Sequence, residues 1–137
     1  MKKLIIAWIA LLLVTATFAQ QSEQEKAFLE KAVKMEKQLN AENDSKVKEQ
    51  LLIEYIAFFY KQPQDVQKKY EDIPNMLYYN LAYHQAAQNK KSKALQRFEQ
   101  ACANWYENYQ EVLNDTVFDL LRSTKKYKEL HAKPRAT

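Results

Sequence analysis

The chain has 137 residues, a formal charge of +4 and no glycine. Phosphate-cradling loops, dinucleotide turns and nucleophile elbows need a backbone at positive φ or pressed against a ligand, so none is available in its usual form. The same lack disfavours two-residue hairpins, and the abundance of Ala, Leu, Lys, Glu and Gln points to an all-α chain.

At the N-terminus, Lys2 and Lys3 precede an apolar run of eleven residues, Leu4 to Val14. Thr17 and Ala19 then place small residues before Gln20, the pattern of a secretory signal peptide covering residues 1–19. A membrane-spanning helix needs about 20 apolar residues, so the run is too short, and stable membrane insertion is not expected after cleavage. Residues 20–137 are expected to form one domain, with a formal charge of +2 once Lys2 and Lys3 are gone. Its basic residues are scattered, which does not make a nucleic-acid footprint.

Ser22 with Glu25 makes a capping box for a first helix, about Ser22 to Leu39, with Phe28, Ala32, Met35 and Leu39 as its stripe. A turn through Asn40–Ser45 leads to a second helix from about Ser45 to Lys61. Its wide arc of Val47, Leu51, Leu52, Tyr55, Ile56, Phe58 and Phe59 predicts the most buried helix of the domain. Pro63 closes this half, and Gln64 to Asp72 reads as a polar link. Asp72 is the expected cap of a third helix that tolerates Pro74 in its first turn and runs to about Gln88. Asn40 and Asn89 stand where left-handed helix caps are expected. A fourth helix, about Lys91 to Tyr106, aligns Ala94, Phe98, Ala101 and Trp105. Ala82, Ala94 and Ala101 allow the third and fourth helices a close approach. Asp115 is an N-cap for a tail element whose packing face is Phe118, Leu121, Tyr127 and Leu130.

Leu81, Ala82, Ala94, Phe98 and Ala101 match a tetratricopeptide repeat in type and spacing, and the segment resembles that family. It departs from the pattern in having alanine where glycine is frequent, Gln85 where an aromatic is usual, and no closing proline. Asp115 to Arg122 with Tyr127 to Leu130 resembles the terminal element after the last repeat in many bacterial repeat proteins, with Val117 in place of an aspartate. The resemblance implies a repeat hairpin at about 74–107 and a terminal cap at about 114–131. A stacked repeat leaves one apolar face open, so a cap is also physically required. The resemblance, with a leader ending in Phe-Ala-Gln, points to a Gram-negative envelope and thus to a periplasmic or secreted protein.

Catalytic and metal-binding constellations are not evident. Cys102, the single cysteine, and His84 lack an orienting carboxylate in sequence, and His84 and His131 lack ligand partners at helical spacing. Glu107 and Glu111 read as a solvated face. No cofactor or metal is expected. The third helix instead offers Met76, Tyr79, Tyr83 and Ala86 (or Ala87) as a groove for a protein or peptide, with Arg97, Lys90 and Lys93 at the rim. It lacks the lysine and asparagine with which some members of the resembled family clamp a terminal carboxylate. The reading is an exported, non-enzymatic binding scaffold. Its alternatives are a homodimer through the first two helices or Cys102, and more remotely a small hydrolase using Cys102 and His84.

Overall fold

Side-chain caps and one left-handed residue cut the chain into its helices. The computed structural model describes residues 22–103 and 115–132. In chain order these form α1 (Glu23–Ala41), α2 (Ser45–Tyr60), α3 (Gln64–Lys69), α4 (Asp72–Ala87), α5 (Lys91–Cys102), a 3-10 turn over Thr116–Phe118, α6 (Asp119–Arg122) and α7 (Lys125–Ala132). The described chain is all-α, as expected, with packed helix pairs and a short helical cap. The expected signal segment, the end of the fourth helix through Trp105 and Tyr106, and the Glu107/Glu111 pair lie outside the described residues.

Local chemistry accounts for most boundaries. Ser22 Oγ accepts the Glu25 amide at 3.1 Å and starts α1. Asn40 does not cap this helix. The chain runs helically through it and leaves in extended backbone at Glu42. The reason is acceptor supply: Glu42 Oε1 takes the amides of Asn43 and Asp44 at 2.8 Å each, and Asp44 Oδ1 takes those of Lys46 and Val47. Those amides are thereby drawn away from the last carbonyls of α1, the acceptors to which a left-handed cap would have turned them. Asn89, by contrast, has φ 58°. Its amide donates to Ala86 O and that of Lys90 to Gln85 O, both at 2.9 Å, a Schellman closure of α4.

Two other boundaries differ from the sequence reading. Residues 64–69 are a helical turn rather than a link, because Val66 is drawn into the core at 2 % exposure and Gln67 Nε2 caps the Gln62 carbonyl at 2.7 Å. Asp72 is the first residue of α4, not its cap. The preceding turn is closed by the Ile73 amide on Tyr70 O instead.

Burial is also distributed differently. The most enclosed helix is α4, with ten of its sixteen residues buried, whereas α2 leaves Val47, Ile53 and Tyr60 exposed. The cause is position: α4 packs against both α2 and α5, and the tail turn closes on it as well. Its Ile73, Leu77 and Leu81 join Phe28, Leu52, Tyr55, Phe59 and Tyr70 in a first core. Its Tyr79, Ala82 and Ala86 join Ala94, Phe98 and Ala101 in a second, roofed by Phe118, Leu121, Tyr127 and Leu130. All four predicted roof residues are thus buried. Phe118 sits 5.4 Å from Tyr79 and 5.5 Å from Phe98, while Tyr127 stacks on Phe98 at 5.1 Å.

Candidate functional site

The five residues expected to form one partner-binding groove do not share a surface. Tyr79 and Ala86 are 1 % and 3 % exposed and belong to the core beneath the cap. Tyrosine spacing on a helix does not distinguish a ligand-facing side chain from one covered by a neighbour, and here the tail element covers it. Met76 is half-buried against the first core, and Tyr83 is half-buried against Phe118 at 6.1 Å. Arg97 lies over the ring of Tyr78, 5.9 Å from its centroid. Each residue turns about 100° around a helix, so Tyr78 is about 200° from Met76 and about 140° from Tyr83. Arg97 therefore serves a different side of α4 from those two.

Polar side chains gather at two buried carboxylates. Glu25 on α1 accepts from Lys69 Nζ at 2.6 Å and from the Tyr70 hydroxyl at 2.7 Å. Glu49 on α2 accepts from Gln85 Nε2 at 3.1 Å, Gln88 Nε2 at 2.9 Å and Lys90 Nζ at 2.6 Å. Burial pushes both carboxyls up, but these donors and the lysine charges outweigh it and hold both below their ordinary value. Gln85, at the position where the resembled family usually has an aromatic, is thus a tie between α4 and α2. Lys90, expected at the rim of a groove, is the cation of this cluster.

Beside Glu49, Ser45 Oγ lies 3.3 Å from His84 Nδ1. A serine, a histidine and a glutamate within one cluster invite comparison with a nucleophile–base–orienter arrangement. The glutamate is committed elsewhere, with both oxygens taken by Gln85, Gln88 and Lys90. The backbone amides of Lys46 and Val47, which could stabilise an oxyanion, are bound by Asp44. The cluster holds α2 to the end of α4. Cys102, the other expected chemical group, is half-buried against the second core. Among the described residues no three His, Cys, Asp or Glu side chains gather to hold a metal ion, and no helix is long and apolar enough to cross a membrane.

What remains at the surface is a strip along one side of the helical stack. Tyr60 on α2 is 51 % exposed. Partial burial and the Tyr78 hydroxyl, which engages it, push its phenol above the ordinary value. Arg97 then covers the Tyr78 ring from α5 and donates through Nη1 to Gln100 Oε1 at 2.9 Å. Ile53, two helical turns before Tyr60, is 39 % exposed. Of these, sequence reasoning singled out Arg97 alone. The seven-residue spacing of Ile53 and Tyr60 was the available signal, but it identifies one edge of α2 without saying whether a neighbour covers it. No protein-family model, curated protein or solved structure matches the chain.

Proposed function

We propose that the chain is an exported, non-enzymatic helical scaffold of tetratricopeptide-like design that binds a protein or peptide along the Tyr60–Tyr78–Arg97 strip. The observation that carries this reading is the strip itself. An exposed tyrosine meets a half-buried tyrosine and a half-buried arginine from two further helices, and these residue types dominate interface hot spots. Tyrosine brings large contact area with few rotors, and a guanidinium held on an aromatic ring is partly ordered before binding. The tetratricopeptide-like part is supported by the burial of Ala82, Ala94, Phe98 and Ala101 at the α4–α5 contact, with a terminal element closing its end. The non-enzymatic part is supported by the engagement of Glu49 and Glu25 in inter-helix ties.

The test is selection of displayed peptides on the purified protein, repeated on a Tyr60→Ala/Tyr78→Ala double variant whose helicity is checked by circular dichroism. Ligands retained by the wild type and lost by the folded variant are the expected result. Ligands held equally by both would move the binding surface elsewhere. Export is tested separately by sequencing the mature N-terminus, which should begin at Gln20.

Self-association through α1 and α2 is the second reading, favoured by the exposed Val33 and Val47 on those helices. Sedimentation velocity over a wide concentration range decides it. A single monomeric boundary throughout would remove it.

A further inference from the structure

The charge around the strip narrows the class of partner. Lys46, Ile53 and Tyr60 recur every seven residues along one edge of α2, and all three are exposed. Across Tyr78, Lys93 stands one turn before Arg97 on α5 and is exposed. Three of the domain's carboxylates are bound by other cations, and Glu54, beside Ile53, accepts from Gln50 at 3.0 Å. Glu49 is bound by Lys90, Glu99 by Lys126 and Glu25 by Lys69, each at 2.6 Å. Among the described residues neither Lys46, Lys93 nor Arg97 has a carboxylate partner. Arg97 Nη1 is held by Gln100 at 2.9 Å, which fixes the guanidinium over the Tyr78 ring. A guanidinium charge held in this way over an aromatic ring is suited to a carboxylate.

We infer that this surface recognises an acidic segment of a partner protein. Apolar or aromatic side chains of the segment pack on Ile53, Tyr60 and Tyr78, and its carboxylates face Lys46, Lys93 and Arg97. The direction of the segment follows from the layout. Ser45 at the start of α2 meets His84 near the end of α4, whereas Tyr60 at the end of α2 meets Tyr78 earlier on α4, so the two helices run antiparallel. Lys46 and Lys93 therefore lie towards the Asn89 turn, and Tyr60 lies towards the other end. The acidic residues belong at the Asn89 end.

This inference rests on the binding reading above and is tested apart from it. Fluorescence anisotropy is measured with three peptides of equal length that share one Trp and one Leu. The first carries Asp and Glu, the second Asn and Gln at the same positions, and the third Lys. The acidic peptide should bind at least about tenfold more tightly than the amide one, since hydrogen bonds to charged groups are about twice as strong as neutral ones. Its affinity should fall with added salt, and Arg97→Gln should weaken it about tenfold.

Equal affinity for the acidic and amide peptides overturns the inference. So does an acidic preference that Arg97→Gln and Lys93→Gln leave intact, because the charge recognised would then lie elsewhere. Failure of all three peptides, beside display-selected ligands that need Tyr60 and Tyr78, overturns the acidic class and leaves the scaffold reading standing. Failure of both experiments overturns both.

Discussion

The two halves of the molecule share α4 and close their cores by different means. The C-terminal core is small-residue packing, Ala82 and Ala86 against Ala94 and Ala101, and its open end is roofed by a tail that buries Phe118, Leu121, Tyr127 and Leu130. Among the described residues its buried members include no carboxylate. The N-terminal core is built from large rings, with Phe28 stacked on Phe58 at 5.8 Å and leaning on Tyr70 at 5.3 Å. It buries three glutamates at its margins: Glu25 and Glu49 are held by cations, whereas Glu36 has burial alone acting on it and its carboxyl is pushed above the ordinary value. The difference teaches that a helical end can be closed by an apolar lid or by charged ties. The charged solution makes stability depend on pH and leaves apolar edges such as Val33, Val47 and Ile53 in solvent.

The largest effect should come from the lid. Phe118→Ala is expected to cost about 3–5 kcal/mol, as for other fully buried phenylalanines, and thermal unfolding measures it. Hydrogen exchange should show α5 and α7 losing protection before α1. Uniform loss across both halves would mean that α4 couples them too tightly for the comparison to hold.

Next in size is the tie between the halves. Lys90→Met leaves Glu49 buried without its cation. The side chain of Lys90 is 35 % exposed and two glutamine donors remain, so the expected cost is about 1–2 kcal/mol rather than the full penalty of a broken buried pair. Denaturant unfolding should show this loss at pH 7. The loss should fade as Glu49 is protonated in acid.

Asn89→Ala should cost about 1 kcal/mol, because alanine tolerates φ 58° poorly, while Asn89→Gly should be neutral or mildly stabilising. Equal midpoints for the two variants would show that α4 ends without needing the left-handed residue.

The smallest expected effect has the opposite sign. Glu36→Gln should stabilise the N-terminal half by up to about 1 kcal/mol at pH 7 by removing a buried, uncompensated charge. Its carboxyl is raised in the folded state, so its contribution is full below the ordinary value of 4.5 and is lost as pH rises through the folded value. Glu25 and Glu49 are lowered, so theirs is present above 4.5 and is lost as pH falls through the folded values. A stability profile from pH 3 to pH 7 should therefore rise through the acid range in both proteins. It should then sag above 4.5 only in the wild type. Superimposable profiles would show that Glu36 is solvated after all.

Features decided within one or two turns were legible from the chain alone. The missing glycines and the apolar spacing specify helices, Ser22 and Asp115 supply side-chain caps, and Asn89 takes the left-handed position. Phe118, Leu121, Tyr127 and Leu130 form the lid face because their spacing places them on one side of short helices. The rest depended on contacts between residues far apart in sequence. Glu25, expected to complete a capping box, turns instead to Lys69 and Tyr70, because a buried carboxylate is better stabilised by a cation and a hydroxyl than by an amide at the helix start. Periodicity shows how wide an apolar arc is, but not which neighbour covers it. It therefore ranked α2 as the most buried helix where α4 is, and it placed Tyr79 at a surface that the lid encloses. The Tyr60–Tyr78–Arg97 strip comes from three helices and has no signature in any one of them. Helical order was decided by residue type and spacing, while the exposed surface was decided by which faces the packing left uncovered.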